Sequence, residues 1–345
     1  MNILDSLIIQ PFSALLRFLY FDLTHNYGLA IIVFAIVIKL ILFYFSARGK
    51  KAQLETTRIQ PQLKELQVKY KNDKVKYNEA MQKLYQEENV SMTGGCLWSL
   101  LPFPILIAFY SVIQKPFANL LGMAQDNIDK IARFISTIPG LSADALAKLS
   151  NTSDQYFQLH LSELTHHYYP LVEAQFPDIG LRDISYNFLG LNLAEKPALA
   201  FSWMLLIPLL AGVTAYLSFY LSQKANPNAP AMQGSAKTMM MLMPLVSVYF
   251  GFAWPALVGL YWTVQNVLGG IQDYFLTKHY VKKMADEIKR REEFIARKKA
   301  AEEAMKEEMR LRRAEELAAK KAKRKPGQTV YKVQKKPDFN KNKKS

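Results

Sequence analysis

The chain has a single cysteine, Cys96, in 345 residues. A disulfide or a cysteine metal cluster within one chain is therefore excluded. The sequence also lacks a glycine-rich phosphate loop, an HExxH motif, a GxSxG motif and a pair of carboxylates inside an apolar segment. His160, His166 and His167 are irregularly spaced and do not indicate a metal site. We therefore expect neither an enzymatic activity nor a cofactor.

The first 26 residues lack the features of a removable signal sequence. No Lys or Arg precedes the apolar part, Asp5 lies within it, and no small-residue cleavage site follows. Apolar residues interrupted by Gln10, Pro11 and Arg17 predict a short helix lying in the membrane interface. An ordinary lead-in to the first membrane span is the alternative.

Hydrophobic residues make up 50% of the chain, and they are gathered into long blocks instead of being spread at the spacing of amphipathic helices. This pattern predicts an all-α polytopic membrane protein. The first block, residues 27–46, has the ~20 residues that a helix needs to cross a ~30 Å hydrocarbon core. Lys39 lies a little past its middle, where an ammonium facing lipid costs ~2.5 to 3.5 kcal/mol. We therefore expect Lys39 to face protein or water and to serve the function.

The distribution of basic residues predicts the orientation in the membrane. Residues 47–93 contain ten Lys or Arg against six acids, which places this loop in the cytoplasm and the N-terminus outside. Near-helical apolar spacing on both sides of Asn72 and Asp73 predicts a helical hairpin in this loop. From residue 278 onward, 24 Lys and Arg accompany 11 acids and few apolar residues. This tail should form a solvated helix and, beyond Pro326, a disordered basic end.

The remaining apolar blocks complete five transmembrane helices around a hydrophilic groove open to the cytoplasm, with the N-terminus outside and the C-terminus in the cytoplasm. The fourth block corresponds to only ~24 Å of helix, so the bilayer should be thinner beside it. Helical stretches are expected at 127–138 and 143–149, in a small subdomain of the extracytoplasmic segment. The predicted division is an extracytoplasmic interfacial helix at 1–26, the first transmembrane helix at 27–46, the cytoplasmic helical hairpin at 47–95, the second transmembrane helix at 96–114, an extracytoplasmic segment at 115–197, the third transmembrane helix at 198–221, a cytoplasmic loop at 222–237, the fourth transmembrane helix at 238–253, the fifth at 256–276 and a basic cytoplasmic tail at 277–345.

Uncharged hydrogen-bonding residues are scattered through the predicted spans. Each one alone is typical of a contact between two membrane helices. Together with the lysine they could line a wet, positively charged groove that opens to the cytoplasm. The candidate groove residues are Lys39, Ser111, Gln114, Thr214, Ser218, Gln265, Asn266 and Gln272.

Five segments follow the order and spacing of a known family. They are GLAIIVFAIVIKLILF, IQPQLKELQVKY, LPFPILIAFYSVI, FLGLNLAEKPALAFSWMLLIPLLAGVTAYLSFYLSQK and MMMLMPLVSVYFGFAWPALVGLYWTVQNVLGGIQDYF. With the pattern Leu260, Tyr261, Trp262, Asn266 and Gln272, they resemble the YidC/Oxa/Alb family of membrane protein insertases. The resemblance covers about residues 26–276 apart from the extracytoplasmic insert. The chain is similar to Gram-positive-type members without a large N-terminal domain, and no cysteine precedes Cys96 to carry a lipid.

The resemblance implies an insertase and chaperone of the bacterial cell membrane that uses no nucleotide. It implies nascent membrane proteins as substrates, with the ribosome, the Sec translocon and anionic lipids as further partners. Two features depart from the family pattern. The family usually has arginine where this chain has Lys39, and the segment 118–187 is longer than in many members. Lysine keeps the positive charge but lacks the planar fork of arginine.

Two other classes of function fit part of the pattern. A small-solute transporter would also use an intramembrane charge and polar lining, but the five spans show no inverted repeat. A structural subunit of a membrane complex would bury the polar residues against partners. In that case replacing Lys39 by alanine would damage assembly instead of the insertion of other proteins.

Overall fold

The computed structural model describes residues 5–92, 102–226 and 235–322. The helices are α1 (Asp5–Thr24), α2 (Tyr27–Ile41), α3 (Phe43–Lys69), α4 (Lys74–Glu87), α5 (Pro102–Gln114), α6 (Gln125–Ser136), α7 (Ala143–Ser150), α8 (Phe157–His167), α9 (Tyr169–Gln175), α10 (Leu206–Ala225), α11 (Ser235–Ala253) and α12 (Ala256–Ala322). A π-helical turn at Pro116–Leu120 and two antiparallel strands of two residues, β1 (Asn187–Phe188) and β2 (Leu191–Asn192), are further described elements. The prediction of an all-α membrane protein agrees with this composition.

Four predicted features lie wholly or partly outside the described residues. They are the end of the hairpin at Gly94-Gly95, the start of the second span before residue 102, the middle of the loop 222–237, and the tail beyond residue 322. The chain divides into two compact units, residues 1–282 and 283–345. The described part of the second unit is helix with almost every side chain exposed, as expected of a solvated helix.

Helix α1 is longer than the predicted short interfacial helix. π-helical turns at Asp5–Ile9 and Leu19–Thr24 extend it at both ends, and its length and composition would allow it to cross a membrane. The Phe12 ring packs edge-on against Phe34 of α2, with ring centroids 5.3 Å apart. Burial of the aromatic and aliphatic face of α1 against α2 therefore fixes where the N-terminal helix lies in this unit.

The predicted first span is not a single straight helix. Helix α2 ends at Ile41, and α3 continues from Phe43 at an angle of 59°. Neither proline nor glycine occupies this bend, so the sequence carries none of the usual markers of a kink. Helices α3 and α4 then form the predicted hairpin. Its turn lies at Asp73, whose carboxylate accepts from Lys76 N and caps α4.

An aromatic core holds α2, α5 and α12 together. Phe109 of α5 lies between Phe34 and Tyr261, with centroid distances of 5.1 and 4.0 Å. All three rings are buried. Stacked aromatic side chains of this size dominate the energetics of a core, so this contact determines how closely the three helices approach.

Helices α10 and α11 pack through a glycine. A Cβ atom on Gly251 would lie 2.6 Å from Pro208 Cα, so no larger residue fits without moving a backbone. Close approach at small residues is the usual way in which membrane helices associate. By length and composition, Asp5–Thr24 and Trp203–Ala225 can cross a membrane, and the bent pair α2–α3 can provide a third span. Shorter apolar helices are Pro104–Gln114 and Pro244–Ala253.

The segment 115–197 contains the π-helical turn Pro116–Leu120 and four α-helices, α6 to α9, around a second apolar core. Ile128, Ile131, Leu161 and Val172 are fully buried there. The predicted helical stretches at 127–138 and 143–149 correspond to α6 and α7. The strands β1 and β2 were not predicted, because two-residue strands leave no alternation to detect.

The start of α12 is tied to the end of this segment. Ala256 N donates to Glu195 O at 2.8 Å, and Leu257 N donates to Leu193 O at 2.9 Å. The first N–H groups of a helix have no partner within it. The carbonyls of residues 193 and 195 therefore satisfy two of them and fix the end of α12 against the segment.

Candidate functional site

A cavity of about 430 Å³ lies between α2 and α12. We call it the Lys39 cavity. Most of its lining is aliphatic or aromatic, and the polar contribution comes from one lysine, one glutamine and one histidine. The lining residues are Ile36, Lys39, Leu40, Phe43, Leu268, Ile271, Gln272, Phe275, Leu276 and His279.

Lys39 occupies the last turn of α2, just before the bend. A cation is favourable at this position because carbonyl groups without a helical partner accumulate at a helix C-terminus. The facing residue is Gly269, where a Cβ atom would lie 3.3 Å from Lys39 Nζ. The absence of a side chain there leaves room for the ammonium. Within the described ranges, the ammonium makes no hydrogen bond or salt bridge.

Gln272 lines the same cavity as Lys39, and its side chain also makes no hydrogen bond to the described residues. Both polar atoms of its amide, Oε1 and Nε2, are buried and have no partner among the described residues. Leaving a buried polar group without a hydrogen bond costs about 1 to 3 kcal/mol. Such groups are usually satisfied by water or by a ligand. The cavity thus presents an unpaired cation and an unpaired amide within an apolar lining.

Asp273 was not singled out in the sequence, although it lies inside the predicted fifth span. Its carboxylate pairs with Lys50 of α3 at 2.7 Å, and the Lys50 side chain is only 9% exposed. The charge of Asp273 also attracts Lys39. An acid within an apolar block is itself a signal of a buried partner, and it would have identified this ion pair. The pair joins the helix after the bend to the helix that lines the cavity.

Three of the predicted groove residues form a hydrogen-bonded contact between α10 and α12. We call Thr214, Ser218 and Asn266 the Asn266 cluster. Asn266 Nδ2 donates to Ala211 O at 3.1 Å and to Thr214 Oγ1 at 3.4 Å. Ser218 Oγ donates to Asn266 O at 2.6 Å. A hydroxyl and an amide are thereby satisfied, as at contacts between membrane helices.

Gln265 connects α12 to α2 in a similar way. Its Nε2 donates to Ala35 O at 3.4 Å, and its side chain also hydrogen-bonds Tyr261. The Gln265 amide thus has a hydrogen-bond partner on a neighbouring helix. Gln265 lies one turn before the residues of α12 that line the cavity. We assign Gln265 to helix association and not to the cavity lining.

The structure does not bring Ser111 and Gln114 into the cavity. Asn119, just beyond the end of α5, donates through Nδ2 to the carbonyl and the hydroxyl of Ser111, at 2.8 and 3.2 Å. Gln114 is the last residue of α5. Of the eight predicted groove residues, Lys39 and Gln272 line the cavity, four others join helices, and these two lie at the end of α5.

The model of the family described as 60Kd inner membrane protein matches residues 18–283. Three relatives carry the name membrane protein insertase YidC. The one from Clostridium acetobutylicum is 26% identical over 270 residues, which are 77% of this chain and 80% of the relative. Those from Saccharophagus degradans and Geobacter sulfurreducens are 28% and 26% identical over 80% and 79% of this chain. The chain spans only 36% and 38% of their lengths.

Proposed function

The chain belongs to the family of 60Kd inner membrane proteins, and from this premise we propose that it inserts newly made membrane proteins into the bilayer through the Lys39 cavity. The observation that carries the proposal is the pair of unpaired polar groups in an apolar cavity, Lys39 and Gln272. A permanent structural contact would satisfy these groups. A site that exchanges substrates leaves them free.

The proposed topology is five spans with the N-terminus outside and the C-terminus in the cytoplasm. The ten basic residues of the 47–93 loop support a cytoplasmic hairpin. The bend after Ile41 supports the exit of the chain from the membrane, because α3 carries ion-paired side chains such as Arg58. In this proposal α5 and α11 belong to the second and fourth spans. The ~16 residues of the fourth apolar block, 238–253, are short for a full crossing and favour a locally thinned bilayer.

The first step we propose is capture of an acidic or polar tail of the substrate by Lys39. Two unit charges 4 Å apart interact by ~4 kcal/mol at an effective dielectric near 20. Most of the cavity lining around the ammonium is apolar, and the nearby Asp273 carboxylate is already paired with Lys50, so an incoming carboxylate can bind Lys39. Gln272 would donate or accept a hydrogen bond from the same tail and so reduce its desolvation penalty.

The second step we propose is release of the apolar part of the substrate into lipid. The aliphatic lining of the cavity, including Leu40 and Ile271, would accept apolar side chains during transfer. Removing a substrate segment of ~20 apolar residues from water is favourable by about 25 cal/mol per Å² of apolar surface. That free energy suffices to drive the step, so the cycle needs neither a nucleotide nor a chemical step by the protein.

The hairpin α3–α4 would receive the substrate on the cytoplasmic side. Arg58 of α3 and Glu88, just after α4, form a salt bridge of 2.9 Å between its two arms. The basic C-terminal helix would contact the phosphates of ribosomal RNA or of anionic lipids, and both contacts weaken as salt rises. Cooperation with the Sec translocon is part of the same proposal.

Reconstitution in liposomes tests the proposal. The substrate is a small single-span protein with an acidic N-terminal tail, and insertion is scored by protection of that tail from protease. We expect liposomes with the protein to protect the substrate more than empty liposomes, and more than when the tail acids are replaced by Asn and Gln. Equal protection with and without the protein would contradict the insertase function and favour a structural subunit.

A further inference from the structure

Residues 197–202 lie just before α10, and all but the first of them were predicted to belong to the third span, 198–221. In the structure they form neither helix nor strand, and the helical part starts at Trp203. The side chains of Leu199 and Phe201 are almost fully exposed, and that of Trp203 is 78% exposed. The small residues Ala200 and Ser202 alternate with them. Leu199 and Phe201 in this irregular segment, and Trp203 directly after it, thus place three large apolar side chains on the surface.

The position of this segment is fixed at both of its ends. On one side, the carbonyls of Leu193 and Glu195 accept hydrogen bonds from the start of α12. On the other side, the chain enters α10 through the turn Trp203–Leu205. The segment therefore runs between the ends of two apolar helices, at the level where both begin.

The backbone conformation restricts how deep this segment can lie. Irregular backbone does not occur in contact with hydrocarbon, because its N–H and C=O groups would have no hydrogen-bond partners. The candidate span Trp203–Ala225 reaches ~34 Å as a helix and crosses the hydrocarbon core without help from residues 197–202. The backbone of the segment thus belongs at the headgroups, where water satisfies it. Its large side chains can still reach the acyl chains.

Leu189 adds a fourth apolar group at the same end of the helices. It lies at the tip of the β1–β2 hairpin, is 86% exposed and has a φ of +54°. Phe188, its neighbour, packs against Gly28 at the start of α2. A two-residue hairpin turn requires positive φ at both of its central residues, here Leu189 and Gly190. The turn therefore holds the Leu189 side chain exposed at the tip of the hairpin.

We propose that Leu199, Phe201 and Trp203 insert into the lipid leaflet at which α10 begins, with Leu189 at the same level. The partner is the bilayer itself, because the exposed groups continue into the apolar surface of α10, where Leu209 is 53% exposed. The combination of a phenylalanine, a leucine and a tryptophan is typical of a segment at the membrane interface. This surface lies outside the Lys39 cavity and is independent of the substrate.

Depth-dependent quenching tests the proposal. In a Cys96→Ser background, single cysteines are introduced by Phe201→Cys, Leu199→Cys, Leu209→Cys and Ser153→Cys and labelled with an NBD fluorophore. Position 209 is the lipid-facing control, and position 153 is an exposed control in the 115–197 segment. The proteins are reconstituted in liposomes, with nitroxide-labelled lipid or aqueous iodide as the quencher.

We expect nitroxide lipid to quench the labels at 201 and 199 at least threefold more than the label at 153, and nearly as much as that at 209. Iodide should show the reverse order. Quenching by iodide at 201 and 199 equal to that at 153 would overturn the proposal. Protection of both positions from both quenchers would overturn it too, because the segment would then be covered by a protein such as a second copy. Neither result depends on whether the protein inserts substrates.

Discussion

The Asn266 cluster and the Lys39 cavity lie on the same helix, α12, within two turns of each other. Both place polar side chains in an apolar segment. In the first, Asn266, Thr214 and Ser218 satisfy one another and the backbone of α10. In the second, among the described residues, the Gln272 amide has no hydrogen-bond partner and the Lys39 ammonium makes no hydrogen bond or salt bridge. The difference indicates that the first contact holds helices together and that the second is kept open for another molecule.

Two consecutive glycines of α12 explain why the cluster is closely packed and the cavity is open. At Gly270, helix α10 approaches so closely that a Cβ atom would clash with Ser218. At Gly269, one residue earlier, the missing side chain makes room for the Lys39 ammonium instead. The same residue type therefore closes one face of α12 and opens the adjacent face, because successive residues of a helix point about 100° apart.

The largest expected effect is on insertion by Lys39→Ala. Loss of an attraction of ~4 kcal/mol at most should lower the insertion rate of an acidic-tailed substrate at least about tenfold, whereas Lys39→Arg should retain most activity. The thermal stability of Lys39→Ala should equal or exceed that of the wild type, because an unpaired intramembrane charge is costly. The matched control is Lys224→Ala, an exposed lysine at the end of α10. An equal loss with Lys224→Ala would show that general charge matters and not the cavity.

In the Asn266 cluster, a substitution should lower stability and leave insertion unchanged, the opposite of Lys39→Ala. Asn266→Leu removes two hydrogen bonds and leaves Thr214 without its amide donor. We expect it to lower the free energy of unfolding by about 1 to 2 kcal/mol, measured by denaturant titration in detergent. Insertion per folded molecule should stay near the wild-type value. A tenfold loss of insertion with unchanged stability would place Asn266 in the substrate path and remove the distinction.

Gln265 and Gln272 provide a matched pair of substitutions to leucine. Gln272→Leu removes a buried amide that has no partner, so we expect no loss of stability or a gain of about 1 kcal/mol. Gln265→Leu removes the bond to Ala35 O and should lower stability by a similar amount. Thermal unfolding of the two variants side by side measures the difference. A loss of stability with Gln272→Leu would mean that its amide is satisfied in the folded protein.

Glu163 is a partly buried polar group in the 115–197 segment, and its substitution should have a smaller effect than those in the membrane helices. Burial raises the pKa of its carboxyl above the usual value, while a hydrogen bond from Asn192 opposes this shift and the charge of Glu195 adds to it. The folded state thus binds a proton more tightly than the unfolded state. Stability should be greatest below the usual pKa and should fall as pH rises through the raised pKa.

Replacing Glu163 by glutamine should therefore raise the unfolding temperature at pH 7 and change it little near pH 4. Unfolding curves of the wild type and Glu163→Gln at several pH values measure this. The exposed Glu173→Gln is the control, since its charge is not buried. A difference between the wild type and Glu163→Gln that grows as pH falls would contradict the assigned direction of the pKa shift.

Much of the fold followed from the sequence because the length and position of apolar blocks are strong signals. The hairpin turn at Asp73 and the helices α6 and α7 agree with their predicted positions. The bend after Ile41 did not follow, since no proline or glycine marks it. The irregular conformation of residues 198–202 did not either, because hydropathy cannot distinguish an apolar helix from an apolar segment without regular structure.

The site was only partly predictable for a related reason. Composition shows which spans carry polar residues but not which of them meet a partner. Lys39 could be identified because an intramembrane charge is costly wherever it lies. Gln272 and Asn266 look alike in the sequence, and only the approach of α10 makes one satisfied and the other free. Asp273 could have been found as an acid inside an apolar block. Its partner Lys50 lies 223 positions earlier in the chain, on α3, so sequence spacing does not reveal the pair.

Site-specific photo-crosslinking during insertion tests the central claim most directly. A benzophenone amino acid is placed at Leu40 or Ile271 in the Lys39 cavity, and at Tyr216, which is 55% exposed on α10. Insertion is arrested with the substrate partly transferred. We predict crosslinks from both cavity positions that weaken when Lys39 is replaced by alanine, and few from Tyr216. Crosslinks of equal strength at all three positions, or crosslinks insensitive to Lys39, would contradict a substrate path through the cavity.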